Sequence, residues 1–244
     1  EGSGVVMTPH PWLSGCYTIT KTGNLERLDA FRDGRFLVQD AAARLTALAA
    51  GCTSGMTVLD LCAAPGGKSF AMAMEMRNQG HIDAFDLHAS KVRLISEGAA
   101  RLGISCITAA AGDGKVFLPE YAETADVVLC DVPCSGLGII RKKPDIRLKR
   151  EQELCGLPRV QSAILENASR YVRPGGVLLY STCTILPEEN ERVTDAFLKT
   201  HTDFARETFP LPEPLGDIRS GQITLWPQRH GTDGFYICKM RKNG

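Results

Sequence analysis

The segment "LDLCAAPGGKS", residues 59–69, joins a run of apolar residues to a glycine-rich turn. The run that includes its first residues, "TVLDLC" (57–62), predicts a buried strand, and the residues after the turn predict a helix over roughly 68–79. A strand, a glycine turn and a helix in this order let a ligand approach backbone amides at a helix N-terminus. The segment lacks the GxxxxGKS/T spacing of a phosphate loop, which disfavours ATP as that ligand.

Outward from this segment, apolar runs alternate with amphipathic stretches. The further predicted strands are "HIDAFDL" (81–87), "SCITAA" (105–110), "DVVLCDV" (126–132) and "GVLLYST" (176–182). Helices are predicted at 90–102, 151–172 and 188–200. Pro187 suits the first turn of the last helix, and the acidic residues Glu188, Glu189 and Glu191 suit the positive N-terminal end of its dipole. "ITLWP" (223–227) and "GFYICKM" (234–240) predict a closing antiparallel hairpin. The pattern therefore predicts a doubly wound α/β fold.

The first fifty residues precede this pattern. We expect residues 1–50 to form an extension packed on the core, with a short strand and then a helix in "GRFLVQDAAARLTALAA", and residues 51–244 to form the core domain. The chain begins with Glu rather than Met, so an upstream domain absent from this chain stays an open alternative.

Composition excludes several classes of protein. The 28 basic residues balance 28 acidic ones among 244, so no overall positive field indicates a nucleic-acid partner. The nine cysteines contain no CxxC pair, and no ligand spacing indicates a zinc site, so we expect reduced thiols and no metal. The start of the chain lacks a signal-peptide profile and no run matches a membrane span, so we expect a cytoplasmic protein without a membrane partner.

Two aspartates follow predicted strands near the glycine turn. Asp86 lies nineteen residues after Gly67, where an acid commonly accepts hydrogen bonds from ribose hydroxyls, and Asp113 in "AGDG" follows the next strand. The alternative is that the glycines only make a tight turn and that Asp86 caps the following helix. Together and in this order, the features favour an adenosine-containing cofactor.

Two cysteines follow the next strands, in "DVPCSGLG" (131–138) and "STCTILPEEN" (181–190). In a doubly wound sheet both loops lie at the carboxyl edge, so Cys134 and Cys183 face one substrate, with Asp131 nearby. A lone cysteine at a strand end more often packs as a small apolar residue. That structural interpretation applies to the remaining cysteines, which are Cys16, Cys52, Cys62, Cys106, Cys130, Cys155 and Cys238.

Seven sequence motifs follow one another along the chain. "LVQDAAARL", "LDLCAAPGGKS", "DLHASKV", "GDG", "DVPCSGLGIIRKKPDIR", "YSTCTILPEENE" and "GTDGFYICKM" resemble the Fmu/Sun (NOL/NOP/Sun) family of RNA cytosine-C5 methyltransferases over about residues 30–242, especially its bacterial small-subunit rRNA enzymes. The resemblance implies a Rossmann-like class I methyltransferase fold dependent on S-adenosylmethionine. Its sheet would be mostly parallel and seven-stranded with an antiparallel closing strand, and residues 51–244 would be the catalytic domain.

The resemblance also assigns roles to residues. Cys183 would be the nucleophile, Asp131 would hydrogen-bond or protonate cytosine N3, and Cys134 would serve the release step. Lys68 would orient the base or stabilise Asp131, with solvation of its helix as the alternative. The implied cofactor-binding residues are Cys62, Ala63, Ala64, Pro65, Gly66, Gly67, Lys68, Asp86, Asp113 and Asp131. One departure is "KSF" after the glycines, where related members often have Thr, and it leaves the cofactor assignment intact.

The segment "RKKPDIRLKR" (141–150) carries six basic residues and one acidic residue directly after the "PCSG" loop. We expect Arg141, Lys142, Lys143 and Arg147 to contact RNA phosphates, although such a run is usually only a solvated surface. The target cytosine must be single-stranded or flipped out. The resemblance favours 16S rRNA as the substrate; tRNA, a non-catalytic RNA-binding module and a DNA-type enzyme with Cys134 as the attacking residue are the alternatives.

Overall fold

A computed structural model describes residues 5–21 and 23–244. Residues 1–4 and 22, which belong to the expected N-terminal extension, lie outside the described residues. Within the described part of the chain, no helix has both the length and the apolar character needed to cross a bilayer.

The strands and α-helices of the described residues are as follows. The strands are β1 (Val6–Pro9), β2 (Tyr17–Thr20), β3 (Thr57–Asp60), β4 (His81–Asp86), β5 (Ile107–Ala111), β6 (Ala125–Asp131), β7 (Val172–Thr182), β8 (Phe204–Arg206), β9 (Phe209–Pro210), β10 (Asp217–Ile218), β11 (Gln222–Leu225) and β12 (Phe235–Lys242). The helices are α1 (Asp29–Arg32), α2 (Ala41–Ala50), α3 (Gly67–Glu75), α4 (Ala89–Arg101), α5 (Glu151–Leu154), α6 (Leu157–Ser169), α7 (Glu191–Thr200) and α8 (Pro227–His230).

One sheet organises the molecule. Its strand order is β11-β12-β7-β6-β3-β4-β5, and β8 pairs with the far end of β12. Strands β3 to β7 run parallel, whereas β12 lies antiparallel to β7 and to β11. The seven-strand path and the antiparallel closing hairpin confirm the expected fold, and β8 adds an eighth strand. The chain order reverses at β3, between β6 and β4, which is where ligands bind in sheets of this kind.

Alternating residues of the strands build two apolar layers. In β6, Val127 and Leu129 pack on the face covered by α2 and α3, while Val128 and Cys130 pack on the opposite face, covered by α6 and α7. Helix α4 lies on the side of α3, where its Ile95 packs with the α3 residue Phe70 in a smaller cluster. Because both faces are covered, the strands are near-continuous apolar runs and their polar residues concentrate at the ends.

Three local predictions were wrong. Residues 35–40 form no strand; Gln39 instead donates a hydrogen bond from Nε2 to the carbonyl of Gly67 at 3.0 Å, which fixes this segment to the start of α3. The helix predicted at 151–172 is divided into α5 and α6, because Gly156 and Pro158 interrupt the hydrogen-bond ladder between them. Helix α7 begins at Glu191 rather than at residue 188, since Glu189 and Asn190 are buried beside β7.

Part of the N-terminal segment behaves as expected. Helix α2 packs into the main core through residues such as Leu45, which is fully buried. The β1–β2 hairpin was not anticipated and leaves apolar side chains such as Met7 and Tyr17 more than half exposed. The division of the chain at residue 50 stays a prediction.

The closing hairpin touches the loop that follows β6. The amide of Gly138 donates to the Cys183 carbonyl at 3.0 Å, and the amide of Gly234 donates to the Gly138 carbonyl at 2.8 Å. A Cβ atom on Gly138 would lie only 1.9 Å from the carbonyl oxygen of Gly234, so this approach requires glycine. The loops after β6 and β7 and the turn before β12 are therefore joined at one point.

Candidate active site

Two cysteine side chains meet at the carboxyl edge of the sheet. Strands β6 and β7 are parallel neighbours in which Asp131 is paired with Ser181, so the loops that follow them begin side by side. The Sγ atoms of Cys134 and Cys183 lie 3.2 Å apart, within hydrogen-bond distance for two sulfurs. Both cysteines remain partly accessible to solvent. The structure thus brings together the two cysteines that sequence reasoning singled out.

The two thiols have opposite acidities. A hydrogen bond from Cys134 lowers the pKa of Cys183 below its usual range, and Lys68 acts in the same direction, whereas burial and Asp131 oppose it. The same hydrogen bond, together with burial, raises the pKa of Cys134 well above its usual range. The sulfur that ionises first is therefore that of Cys183, while Cys134 keeps its proton and donates it. Cys183 is the better nucleophile of the pair.

Lys68 and Asp131 form an ion pair beside these sulfurs. Lys68 Nζ donates to Asp131 Oδ2 at 2.6 Å, and Ser181 Oγ donates to Asp131 Oδ1 at 2.7 Å. Burial lowers the pKa of Lys68, but the Asp131 carboxylate outweighs burial and raises it above its usual range. The ammonium also lies 5.0 Å from the ring centroid of Phe235. Lys68, with a side chain only 12% exposed, therefore serves Asp131 rather than solvating its helix.

Sequence reasoning missed Asp60, the last residue of β3. Its side chain is fully buried, and Ser69 Oγ donates to Asp60 Oδ2 at 2.6 Å. Burial raises the pKa of Asp60 to about 7, and the nearby Asp131 adds to the effect. The sequence feature that could have identified Asp60 is an acidic residue at the end of an otherwise apolar strand, just before the glycine turn.

The glycine turn leads directly into Lys68 of this cluster. Gly66 adopts a φ of 106°, and a Cβ atom there would overlap the ring of Phe70. The amides of Gly67, Lys68 and Ser69, in the first turn of α3, have no acceptor among the described residues. Such a turn suits the carboxylate of an amino acid, because free amides and the helix dipole both favour an anion.

The acids at the ends of neighbouring strands suit a nucleoside. Asp86, 8% exposed at the end of β4, accepts a hydrogen bond on Oδ1 from the amide of His88 at 3.1 Å, so it does help to cap α4. Its Oδ2 has no partner among the described residues and can accept from ribose hydroxyls. Asp113 accepts from the amide of Lys115 and also pairs with its ammonium at 3.4 Å. The donors and acceptors present fit S-adenosylmethionine.

The other residues of the turn, Cys62, Ala63, Ala64 and Pro65, lie between β3 and α3. Burial raises the pKa of Cys62 well above its usual range, so its thiol stays protonated. A protonated and inert thiol agrees with a lining role and not with a second nucleophile.

The basic segment after the "PCSG" loop divides into two groups. Lys142 Nζ lies 2.7 Å from Asp40 Oδ2 and 2.6 Å from Asp233 Oδ2, and Arg141 also pairs with Asp233 at 3.2 Å. These two cations therefore connect the loop to α2 and to the closing hairpin. Lys143 and Arg147 are exposed and pair with no acid among the described residues, so they remain available to an anionic ligand.

Asp40 and Asp233 are further residues that sequence reasoning did not single out. Asp40 caps α2 through the amide of Ala42 at 2.8 Å, and the amide of Asp233 also donates to it at 3.2 Å. Burial raises the pKa of Asp40, but hydrogen bonds from Lys142 and from two amides outweigh burial and hold the pKa below its usual range. Asp233 lies in "GTDGF", a motif that the sequence interpretation used only for the family resemblance.

The sheet order is that of the Rossmann-like fold of S-adenosylmethionine-dependent methyltransferases, and the glycine turn, the acids and the two cysteines follow neighbouring strands around its switch point. A family model described as 16S rRNA methyltransferase RsmB/F matches residues 47–241, and the chain belongs to this family. The family expected from the sequence motifs is confirmed.

Individual relatives agree with this assignment. The chain is 41% identical over 228 residues to a protein of Bacillus subtilis (strain 168) named "Probable ribosomal RNA small subunit methyltransferase B", covering 91% of this chain and 51% of that protein. It is 32% identical to "Ribosomal RNA small subunit methyltransferase F" of Serratia proteamaculans (strain 568), covering 97% of this chain and 52% of that protein. The chain thus spans about half the length of these curated relatives.

Solved structures share the fold. NSun6 from Pyrococcus horikoshii with SFG superposes with a TM-score of 0.76 at 30% identity, covering 90% of this chain and 56% of that one. A methyltransferase homolog protein from Pyrococcus horikoshii superposes with a TM-score of 0.80 at 30% identity, covering 98% of this chain and 79% of that one.

Proposed function

We propose that this chain methylates carbon 5 of a cytosine in RNA, with 16S rRNA as the substrate, through a covalent bond between Cys183 and the base. The observation that supports this most directly is the contact between Cys183 and Cys134 beside the Lys68–Asp131 pair. Two adjacent sulfurs of opposite acidity provide an attacking group and a separate group for release. The family supports RNA as the substrate.

Carbon 5 of cytosine is a poor nucleophile, and the chain's residues overcome this by addition at carbon 6. The Cys183 thiolate forms a bond to carbon 6, and the electron pair of the 5,6 double bond moves toward ring nitrogen 3. Lys68 donates a hydrogen bond to Asp131 Oδ2, so a proton can pass from the ammonium through Asp131 to nitrogen 3 as negative charge develops there, which leaves Lys68 neutral until that proton returns. Carbon 5 then has enamine character.

S-adenosylmethionine, when bound, supplies the methyl group that carbon 5 accepts. The first-turn amides of α3 and the Asp86 carboxylate would hold it, with residues 62–67 lining the crevice. Asp113 follows β5, the strand beside β4, and would be the further acid available to the nucleoside.

Release requires removal of the carbon 5 proton. In the free protein the pKa of Cys134 is raised mainly by its hydrogen bond to the ionised Cys183, with burial as the second cause. Once Cys183 is bound to carbon 6, its sulfur carries no charge, so the first cause disappears and Cys134 loses its proton more readily. Cys134, having given its own proton to solvent, takes the carbon 5 proton; nitrogen 3 returns its proton through Asp131 to Lys68, the 5,6 double bond re-forms, and Cys183 leaves as a thiolate.

RNA phosphates would be held by Lys143 and Arg147. Ile146 lies between them in the 3-10 turn Pro144–Leu148, is buried, and its Cδ1 lies 3.0 Å from where a Cβ atom on Gly136 would be. The turn that contains Arg147, with Lys143 directly before it, is thus packed on the loop of Cys134.

Bisulfite sequencing of RNA from cells with and without the gene tests this proposal. Complementation with the wild-type gene should restore one protected cytosine in 16S rRNA, and complementation with Cys183→Ala should not. Protection that changes only in tRNA would favour the tRNA alternative. RNA binding without any change in protected cytosines would favour a non-catalytic binding module.

A further inference from the structure

The backbone on both sides of Cys134 is held by one buried polar pair, Glu189 and Gln161. The amide of Ser135 donates to Glu189 Oε2 at 2.9 Å, and Gln161 Nε2 donates to the same oxygen at 2.7 Å. Gln161 Nε2 also donates to the carbonyl of Pro133 at 3.0 Å. The residues before and after Cys134 are therefore fixed to the same two side chains.

This pair is anchored independently of the loop that it holds. Gln161 projects from α6, and Glu189 lies between β7 and α7, where Tyr180 of β7 donates from its hydroxyl to the Glu189 carbonyl at 2.6 Å. The hydroxyls of Ser135 and Thr184 are 2.7 Å apart and join the Cys134 loop directly to the residue after Cys183. The contact between the two sulfurs is thus set by groups that touch neither of them.

The buried Glu189–Gln161 pair destabilises the fold. Gln161 is fully buried and Glu189 is 2% exposed, yet one oxygen of each, Oε1, has no hydrogen-bond partner among the described residues. A buried carboxylate with an unpartnered oxygen costs stability, and an apolar side chain of similar volume would usually avoid that cost. A polar pair retained in such a place is better explained by the geometry that it imposes on Cys134.

We propose that Glu189, supported by Gln161, is a positioning residue that holds the Cys134 sulfur against Cys183 and thereby governs release of the methylated base. Without the Glu189 carboxylate, the Ser135 amide loses its acceptor and Gln161 loses one of its two acceptors, so Cys134 is held less firmly against Cys183 by the contacts that remain. The statement about release rests on the proposed function, whereas the contact between the sulfurs does not.

The first experiment needs no RNA. Alkylation of Cys183 by iodoacetamide is followed by peptide mass spectrometry across pH in the full chain, for the wild type, Glu189→Ala, Glu189→Gln and Glu188→Ala. Glu188 is the matched control, because it is the neighbouring acid and its partner is the exposed Arg192. Circular dichroism and thermal melting establish that each variant is folded.

Glu189→Ala should alkylate Cys183 about tenfold more slowly at neutral pH, because loss of one hydrogen bond to an ionised group changes its ionisation by about that factor. The alkylation rate of Cys183 in Glu189→Gln should lie between those of the wild type and Glu189→Ala, because the Gln amide oxygen can still accept a hydrogen bond from the Ser135 amide. Glu188→Ala should match the wild type. An unchanged alkylation rate of Cys183 in folded Glu189→Ala would overturn the proposal. If Glu189→Ala does not fold, Gln161→Leu must show the slower alkylation, and an unchanged rate in Gln161→Leu would then overturn the proposal.

The second experiment uses an RNA that contains the target cytosine and detects a protein–RNA complex that survives denaturing electrophoresis. Glu189→Ala should accumulate this complex as Cys134→Ala does, and Glu188→Ala should not. If Cys134→Ala itself accumulates none, the proposed function fails while the alkylation result stands. If Cys134→Ala accumulates the complex and Glu189→Ala turns over as the wild type does, the positioning role is wrong and the proposed function stands.

Discussion

The Sγ atoms of Cys134 and Cys183 lie 3.2 Å apart although the two residues are 49 positions apart in the chain. The contact makes Cys183 the more acidic and Cys134 the less acidic thiol. When the pair loses a proton, that proton therefore comes from Cys183, and Cys134 keeps its own. Under the proposed function, this asymmetry assigns attack to Cys183 and release to Cys134 before any substrate is present.

Substitution of each cysteine should stop the reaction at a different stage. Cys183→Ala should abolish methylation and leave no covalent complex with RNA, because carbon 5 is never activated. Cys134→Ala should permit attack and methyl transfer but slow elimination, so a complex that resists denaturing electrophoresis should accumulate. The double variant should lose that complex. A complex that forms in Cys183→Ala and vanishes in Cys134→Ala would instead support the DNA-type assignment.

The Asp86 carboxylate should contribute to cofactor affinity. Asp86→Ala should weaken S-adenosylmethionine binding by about 1–3 kcal/mol in isothermal titration calorimetry, the usual cost of losing a charged hydrogen-bond partner. Asp83→Ala, on the same strand but paired with His81, is the matched control and should bind as the wild type does. Equal affinities for the two variants would remove Asp86 from the site.

RNA affinity should depend on the unpaired cations of the basic segment. Replacing Lys143 and Arg147 with Gln should weaken RNA binding and reduce the slope of log affinity against log salt by about 1–2, as expected for two lost phosphate contacts. The control replaces Arg77 and Lys199, exposed cations after α3 and at the end of α7, and should leave the slope unchanged. A slope unchanged by the first pair would mean that the segment is only a solvated surface.

Lys142 should behave differently from Lys143 and Arg147, since two acids already neutralise it. We therefore expect only Lys143 and Arg147, and not Arg141 or Lys142, to contact RNA phosphates. Loss of Lys142 would leave Asp40 and the nearly buried Asp233 without their shared cation, which lowers stability rather than the salt dependence of RNA binding.

The pH dependence of stability should reveal Asp60. Its folded-state pKa, about 7, lies above the unfolded value near 4, so the folded protein binds a proton that the unfolded chain has lost. The free energy of unfolding of the wild type should therefore fall relative to Asp60→Asn as pH rises from about 4 to 7, and stay level above 7. The total difference is on the order of 4 kcal/mol. Denaturant unfolding of both variants measures it; parallel curves would contradict the raised pKa.

The sequence predicted the elements that rest on local patterns. Apolar runs identified β3 to β7 because both faces of a covered sheet require such residues, and the turn "APGG" marked the start of α3. The order of the motifs also placed Cys134 and Cys183 at the same edge, because parallel strands end together. Boundaries were less accurate where tertiary contacts compete with propensity, as at Glu189, which was interpreted as a helix-start acid and is buried beside β7.

The sequence by itself determined the sheet and the family and supplied the candidate reactive residues, since periodicity, turn chemistry and motif order are properties of short segments. The tertiary structure alone decided which cysteine ionises, that Lys142 pairs with Asp40 and Asp233, and that Glu189 with Gln161 holds the Cys134 loop. Those properties depend on distances of a few ångströms between segments far apart in the chain. Coulomb energies and hydrogen bonds vary steeply over such distances, and burial alters them further, whereas a sequence pattern carries no distances at all.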